Sequence, residues 1–198
     1  MKPVLVIYAT REGHTRKIAE RVGDDVAARG VRTDVVDAAH FPKGLSLEHY
    51  SAAIVAASVH GERHEREVVE FVKKRVHELE RIPTAFLSVS LSEANAEDPT
   101  APASRRAKAA EDVQRMIDRF LKETGWLPSK IKAVAGALMY SKYNFFLRYI
   151  MKSIAARAGG STDTSHDHIY TNWAALDQFA DDVVRSITGV RSSPVQVQ

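Results

Sequence analysis

Residues 8–22 read YATREGHTRKIAERV, and this stretch decides how the chain begins to fold. The apolar run Val4–Tyr8 stops at a polar loop, Thr10–Thr15, and a helical pattern starts directly after it. A near-continuously apolar run is typical of a strand covered on both faces in a parallel sheet. The stretch therefore predicts a strand, a short loop and a helix, which together form the first unit of an alternating α/β fold.

The same alternation continues along the chain. The predicted strands are Val4–Tyr8, Arg32–Val36, Ala52–Ala57, Ala85–Val89 and Ala133–Leu138. The predicted helices are Thr15–Arg29, His64–Arg81, Ala103–Thr124 and Asn172–Ile187, with a short helix near Leu45–Tyr50 and a last strand segment at Ile169–Thr171. Five strands alternating with helices predict a doubly wound, five-stranded parallel sheet of order 2-1-3-4-5.

Length and composition limit the classes of protein that are possible. The chain has 198 residues, of which 44% are hydrophobic and 27% charged. We predict a single domain over residues 1–189 and a flexible tail at 190–198. The absence of cysteine excludes disulfides, thiolate metal sites and cysteine nucleophiles. Without a signal peptide or an apolar run of about 18–20 residues, we expect a cytoplasmic protein; its oligomeric state, including a homo-oligomer, stays open.

The polar loop lies where an anion is expected to bind. In an open parallel sheet, ligands bind beyond the carboxyl ends of the strands, near the point where strand order reverses. The loop Thr10–Thr15 follows the first strand, and the helix behind it offers unpaired N–H groups to a phosphate. The alternative is an ordinary turn in which Thr15 caps the helix. The loop matches neither the Walker pattern nor the dinucleotide fingerprint.

The side chains of this loop suit an anion, with one exception. Thr10 and Thr15 offer hydroxyl donors, and Gly13 lets the backbone approach a ligand closely. Arg11 adds positive charge. Glu12 would repel a phosphate if its carboxylate pointed inward, so we expect its side chain to face solvent.

The loop sequence Thr10-Arg11-Glu12-Gly13-His14-Thr15 resembles the phosphate loop of flavodoxins. The resemblance implies that FMN is the cofactor and that two further loops, after strands 3 and 4, hold its ring. The cofactor-binding residues that it implies are Thr10, Arg11, Glu12, Gly13, His14 and Thr15 around the phosphate, Ser58, Val59, His60 and Gly61 after strand 3, and Ser88, Val89, Ser90 and Leu91 after strand 4.

A finer resemblance spans almost the full length of the chain. The segments that carry it are YATREGHTRKIA, AASVHGERHEREVVEFVKK, PTAFLSVSL, AGALMYSKYNFFLRYIMKSIA, GGSTDTS and YTNW. They resemble the menaquinone-dependent protoporphyrinogen oxidases, flavodoxin-like enzymes of haem synthesis whose specific feature is an insertion after strand 5, here Met139–Ser165. This family implies a porphyrinogen substrate, menaquinone or another quinone as acceptor, and a peripheral position on the inner face of the cell membrane.

The composition of the insertion agrees with that expectation. No acidic residue occurs between Glu123 and Asp163, whereas aromatic and basic residues interleave there. Such a segment suits an interfacial helix, and its cations and aromatics suit a carboxylated macrocycle. The residues predicted to contact substrate or membrane are Tyr140, Lys142, Tyr143, Arg148 and Lys152. The alternative is a helix docked on the domain with its aromatics in a satellite core. No RNA-binding motif accompanies the segment, so no nucleic-acid partner is predicted.

No obligatory catalytic acid or base is evident in the sequence. His60 and His64 are the nearest candidates, because a histidine carries protons near neutral pH, and at least one of them is expected to be exposed to solvent. No metal site is predicted at this pair, since Gly61 indicates a loop between the two. Two other functions stay open, an electron-transfer flavodoxin and an NAD(P)H:quinone reductase. The isoelectric point near 9.1 disfavours the first, because carrier flavodoxins are usually acidic.

Overall fold

The computed structural model describes residues 1–42, 44–143, 152 and 163–188. In chain order the strands are β1 (Val4–Ala9), β2 (Thr33–Asp37), β3 (Ala52–His60), β4 (Arg63–His64), β5 (Thr84–Ser90), β6 (Lys130–Ala135), β7 (Ala137–Leu138) and β8 (His168–Ile169). The helices are α1 (His14–Ala28), α2 (Arg66–Leu79), α3 (Leu91–Glu97), α4 (Ala103–Thr124) and α5 (Trp173–Thr188). The predicted tail, 190–198, lies outside the described residues.

Five strands form a parallel sheet in the order β2-β1-β3-β5-β6. Without the short β4, which pairs with β3 alone, this is the predicted order 2-1-3-4-5, so the predicted doubly wound fold is confirmed. The chain moves outward from β1 to β2 and then crosses back to β3. Strand order therefore reverses at β1, and the loop after β1 lies at the switch point where such sheets bind ligands.

Helices cover both faces of the sheet and create two apolar cores. Val6 and Ile7 are neighbours in β1, point to opposite faces and are both fully buried. Val6 packs in the same core as Val22 of α1 and Leu176 of α5. Ile7 packs in the core that contains Val72 of α2. Because both faces are covered, apolar residues are needed at every position of β1, which explains the continuous apolar run in the sequence.

The last predicted strand, Ala133–Leu138, is wrong in extent. β6 ends at residue 135, and β7 pairs antiparallel with β8 in a separate small sheet. Gly136 separates the two strands: its N–H donates to the Ser90 carbonyl at 2.9 Å, and a Cβ there would lie 3.4 Å from the Ser90 carbonyl carbon. The chain turns away at this close approach, so the apolar run covers two short strands. β8 is His168–Ile169, so only Ile169 of the predicted segment Ile169–Thr171 lies in a strand.

A short hairpin after β3 was not predicted. β3 continues to His60, and β4 pairs back on it with Val59 opposite His64. The two turn residues, Gly61 and Glu62, both have positive φ, 55° and 61°, as a two-residue turn of the hairpin type requires. α2 consequently begins at residue 66, and His64 belongs to a strand instead of the predicted helix start.

Two further local predictions are wrong. The short helix predicted at Leu45–Tyr50 is a single 3-10 turn, Leu47–His49. The predicted ring loop Ser88–Leu91 is not a loop, because β5 runs to Ser90 and α3 starts at the next residue. The Ser90 hydroxyl accepts a hydrogen bond from the N–H of Glu93 at 3.2 Å and so caps α3 directly.

Candidate functional site

Two adjoining cavities open at the carboxyl ends of the strands. The inner cavity, about 500 Å³, lies among the ends of β1, β3, β5 and β6. The outer cavity, about 530 Å³, lies beside the loop between β1 and α1. Thr10, Glu12 and Tyr143 line both cavities and form the wall between them. A further cavity of about 500 Å³ opens at the opposite end of the sheet, away from the edge where parallel sheets bind ligands.

Most of the predicted cofactor-binding residues line the inner cavity. They are Thr10, Glu12, His14, Thr15, Ser58, Val59, His60, Gly61, Val89, Ser90 and Leu91. Arg11 and Gly13 line the outer cavity instead. Ser88 lines neither of these two cavities. Its side chain is fully buried in the core, where it hydrogen-bonds to His64.

The loop between β1 and α1 presents backbone donors at the start of a helix. Gly13 occupies the N-cap position with φ 90°, and the Thr10 hydroxyl accepts its N–H at 3.0 Å. Among the described residues, no side chain caps α1 and no acidic residue lies in its first turn. The first N–H groups of α1 are thus left for an anion. Thr15 does not cap the helix; it lies inside the first turn and is 1% exposed.

His14 ties this loop to the chain beyond the predicted insertion. Its Nε2 lies 2.7 Å from the hydroxyl of Thr171, and that hydroxyl donates to the carbonyl of Ala135 at 2.7 Å. A hydroxyl has one proton to give, so His14 Nε2 must be the donor to Thr171. Burial and the nearby charge of Lys17 lower the pKa of His14 to about 4. His14 is therefore a neutral donor that holds the loop in place.

The predicted outward orientation of Glu12 is wrong. Its carboxylate lies 2.8 Å from Nε2 of His60, and the other ring nitrogen of His60 lies 2.5 Å from the carboxylate of Glu65. Burial lowers the pKa of His60, but hydrogen bonds and the charges of both carboxylates outweigh it and raise that pKa to about 9. His60 is protonated at neutral pH, so it neutralises the Glu12 charge beside the loop.

Glu65 connects this ion pair to two more side chains. It accepts a hydrogen bond from Arg11 at 3.3 Å and one from the hydroxyl of Ser58 at 3.4 Å. Burial raises the pKa of Glu65, but the hydrogen bonds and charges of His60 and Arg11 lower it overall. The network therefore joins the β1–α1 loop to the β3–β4 hairpin through paired charges.

His64 occupies an environment opposite to that of His60. It is 7% exposed, hydrogen-bonds through Nε2 to the Ser88 hydroxyl at 2.9 Å and packs against Phe86 and Phe120. Burial lowers its pKa to about 4, against a smaller opposing effect of Glu65. The predicted solvent exposure of one of these histidines is wrong, since His60 is also only 27% exposed. Neither histidine titrates near neutral pH.

Five residues of the inner cavity were not predicted from the sequence. They are Glu62, Met116, Gly136, Ala137 and Met139. Met116 belongs to the apolar stripe of α4, whose pattern indicates only a core position. Gly136 did carry a signal, because an isolated glycine in an apolar run marks a bend or a close backbone approach.

The described part of the predicted insertion packs against the domain. Tyr140 and Tyr143 are buried and form a small apolar cluster with Leu138, which is the satellite-core alternative for these two tyrosines. Lys142 and Lys152 are exposed. Arg148 lies outside the described residues, as do the segments 144–151 and 153–162.

The residues of the inner cavity fit a flavin mononucleotide. A volume of about 500 Å³ lies within the range of about 300–1,000 Å³ usual for small-molecule sites. One end offers helix N–H groups and the hydroxyls of Thr10 and Thr15, which are donors for a phosphate. The other end lies between the β3–β4 hairpin and the β5–α3 junction, where backbone groups can contact a flat ring. Within the described residues, no group of three or more His, Asp or Glu side chains is placed to hold a metal ion.

Comparison with known proteins identifies the family. The sequence profile described as "Flavodoxin domain" matches residues 5–165. The chain belongs to the flavodoxin domain family. It is 30% identical over 179 residues to "Protoporphyrinogen IX dehydrogenase [quinone]" of Escherichia coli K12, covering 90% of this chain and 93% of that protein. It is 33% identical over 181 residues to a protein of the same name from Leishmania major, covering 90% and 73%. The predicted resemblance to this enzyme family is thereby confirmed.

Solved structures support the fold. A short-chain flavodoxin associated with a bacterial microcompartment superposes with a TM-score of 0.54 at 14% identity, covering 94% of this chain and 99% of that one. A flavodiiron core from Synechocystis superposes with a TM-score of 0.51 at 10% identity, covering 96% of this chain and 36% of that one. At such identities the similarity concerns the fold alone.

Proposed function

We propose that this chain is an FMN-dependent oxidoreductase that oxidises protoporphyrinogen IX to protoporphyrin IX and passes the electrons to a quinone. The observation that carries the proposal is the similarity over 90% of the chain to relatives named for this activity. The inner cavity supports it, because its lining fits FMN at the switch point of the sheet.

The residues of the inner cavity take distinct binding roles. The N–H groups of the first turn of α1 and the hydroxyls of Thr10 and Thr15 bind the phosphate. The hairpin residues Ser58–Gly61 and the junction residues Val89–Leu91 hold the two sides of the ring. When bound, FMN supplies two-electron transfer, so the six-electron oxidation of a porphyrinogen proceeds in three turnovers.

His60 positions its neighbours instead of acting as a base. It is already protonated at neutral pH, with its pKa raised to about 9 by Glu12 and Glu65, so it has no free lone pair to accept a proton. His64 is neutral but lies in the core, bound to Ser88. We therefore assign His60 the role of fixing Glu12 and the β3–β4 hairpin around the cofactor.

A peripheral place on the inner face of the cell membrane is part of the proposal, because menaquinone is a lipid-soluble acceptor. Among the described residues, none of the helices is both long and apolar enough to cross a bilayer. Lys142 and Lys152, which were predicted to contact substrate or membrane, are exposed, and exposure is compatible with either role.

A competition between electron donors tests the proposed function. The FMN-loaded protein is assayed with a menaquinone analogue as acceptor and either protoporphyrinogen IX or NADPH as donor. Turnover with protoporphyrinogen and none above background with NADPH is the expected result. Rapid turnover with NADPH alone would replace the proposal by an NAD(P)H:quinone reductase. Flavin reduction by neither donor would favour an electron carrier for a protein partner.

A further inference from the structure

The outer cavity contains a cluster of cations, two of which, Arg16 and Lys142, have no role in the proposed flavin site. Arg11, Arg16 and Lys142 line it, together with Tyr143. Its volume is about 530 Å³, which is large enough for a substituent of a larger ligand. Because Tyr143 also lines the inner cavity, a molecule in the outer cavity lies directly beside the predicted flavin site.

The carboxylates that line the outer cavity already have partners. Glu12 is bound to His60 Nε2 at 2.8 Å. Asp37 accepts a hydrogen bond from the N–H of Ala39 at 2.9 Å, and its other oxygen lies 3.5 Å from His40. Glu12 is offset by the protonated His60, whereas Asp37 keeps a charge that acts on Arg16. Three basic side chains face these two carboxylates, so the cavity retains a net positive charge.

The two arginines keep donors available for a ligand. Arg16 bonds Glu20 through Nε at 2.7 Å, and Arg11 bonds Glu65 through one terminal nitrogen at 3.3 Å. A guanidinium has five N–H donors, so each arginine retains donors in the planar arrangement that suits a carboxylate.

Lys142 is presented by an ordered segment. It ends the 3-10 turn Tyr140–Lys142, in which Tyr140 is fully buried. Ser141 donates to the carboxylate of Asp167 through its N–H at 2.8 Å and its hydroxyl at 2.7 Å. Within the described residues, no carboxylate lies within ion-pair distance of Lys142, although its charge acts on Asp167 from farther away. The ammonium group can therefore still bind a ligand.

We propose that the outer cavity is a carboxylate-binding subsite that receives the propionate groups of the porphyrinogen, an inference that rests on the proposed function. Arg16 and Lys142 bind these carboxylates and so orient the macrocycle beside Tyr143 and the flavin site. The same cations would also suit a phosphate, so the phosphate of FMN is the competing occupant. Arg11 also lines this cavity, and its role in binding the cofactor stays a prediction.

A comparison of acid and ester ligands tests the subsite. The holoprotein, Arg16→Gln, Lys142→Gln and the double variant are titrated with protoporphyrin IX and with its dimethyl ester, and KM is measured for the two corresponding porphyrinogens. Charge-assisted hydrogen bonds correspond to about tenfold or more in affinity. We expect the double variant to bind the diacid at least tenfold more weakly and the ester unchanged. Lys17→Gln is the control, since Lys17 is exposed on the same helix and lines neither cavity.

The affinities of the apoprotein variants for FMN and riboflavin separate the two occupants. If the subsite serves the substrate, the ratio of these affinities stays as in the wild type. If Arg16→Gln and Lys142→Gln weaken FMN binding and leave riboflavin binding unchanged, the cavity holds the flavin phosphate and the proposal is overturned. Equal loss of acid and ester binding would also overturn it. Failure of protoporphyrinogen to reduce the wild-type flavin, with the acid preference intact, would refute the proposed function and leave the subsite standing.

Discussion

The inner and outer cavities share a wall but differ in how their charged side chains are paired. In the inner cavity His60 lies between two carboxylates, and Glu65 is shared with Arg11. In the outer cavity Lys142 forms no ion pair with a described carboxylate, and its charge acts on Asp167 only from beyond ion-pair distance. Charges removed from water must be paired, whereas charges at the surface can stay unpaired because water solvates them. The inner cavity is therefore suited to a cofactor held by backbone and hydroxyl groups, and the outer cavity to an anion that replaces water.

The largest expected effect is a loss of stability at alkaline pH. The pKa of His60 is raised from 6.5 to about 9 in the folded protein, so its stabilising contribution is complete below pH 6.5 and is lost as pH rises through 9. The contribution is at most about 3.5 kcal/mol, since one pKa unit corresponds to about 1.4 kcal/mol. Urea unfolding of the wild type and of His60→Gln between pH 6 and 10 measures it. If the free energy of unfolding changes with pH equally in both proteins, His60 does not make this contribution.

Substitution of His60 at constant pH tests the paired charges directly. In His60→Gln, Glu12 and Glu65 face each other without the cation, and we expect the free energy of unfolding to fall by about 1.5–3 kcal/mol at pH 7. The double variant His60→Gln, Glu12→Gln removes one of the two carboxylates, so it should recover part of this loss. A double variant less stable than the single one would show that repulsion between the carboxylates is not the cause.

Hydroxyl removal in the phosphate loop should have a smaller and ligand-specific effect. Thr15→Val deletes one proposed donor to the FMN phosphate, and we expect FMN binding to weaken by about 0.5–1.5 kcal/mol. Riboflavin lacks the phosphate, so its binding should not change. Titration of the apoprotein with both flavins, followed by quenching of flavin fluorescence, measures the difference. Equal weakening for both ligands would place the phosphate elsewhere.

The smallest effect on the free energy of unfolding is expected from a substitution in the outer cavity. Lys142→Gln removes an exposed charge without an ion-pair partner among the described residues, so the free energy of unfolding should change by less than about 0.5 kcal/mol. Thermal and urea unfolding of Lys142→Gln and of His60→Gln compares the loss in the free energy of unfolding between the two cavities. A loss as large as that of His60→Gln would mean that Lys142 is part of the packed structure.

The fold could be predicted because it depends on local patterns. The buried strand Val4–Ala9 has apolar residues at every position. Five strands that alternate with helices favour the order 2-1-3-4-5. The extent of β6 could not be predicted, because this edge strand alternates Lys130, Ile131 and Lys132 and only its last two residues are buried. The apolar run on which the prediction was based continues beyond β6 into β7.

The chemistry of the site depended on contacts between distant segments. His60 and His64 are four residues apart, yet their pKa values are shifted in opposite directions, to about 9 and about 4. The cause is the hairpin turn at Gly61, which places one ring beside Glu12 and the other beside Ser88. Nothing in the local sequence indicates these partners, which lie 48 and 24 residues away. The predicted orientation of Glu12 was wrong for the same reason.

The most direct test of the central claim is anaerobic reduction of the bound flavin. The FMN-loaded protein is mixed with protoporphyrinogen IX in the absence of oxygen, and flavin absorbance and porphyrin fluorescence are followed together before a menaquinone analogue is added. The account predicts loss of flavin absorbance with a matching gain of porphyrin fluorescence, and recovery of the oxidised flavin with the quinone. A flavin that stays oxidised in the presence of protoporphyrinogen would contradict it.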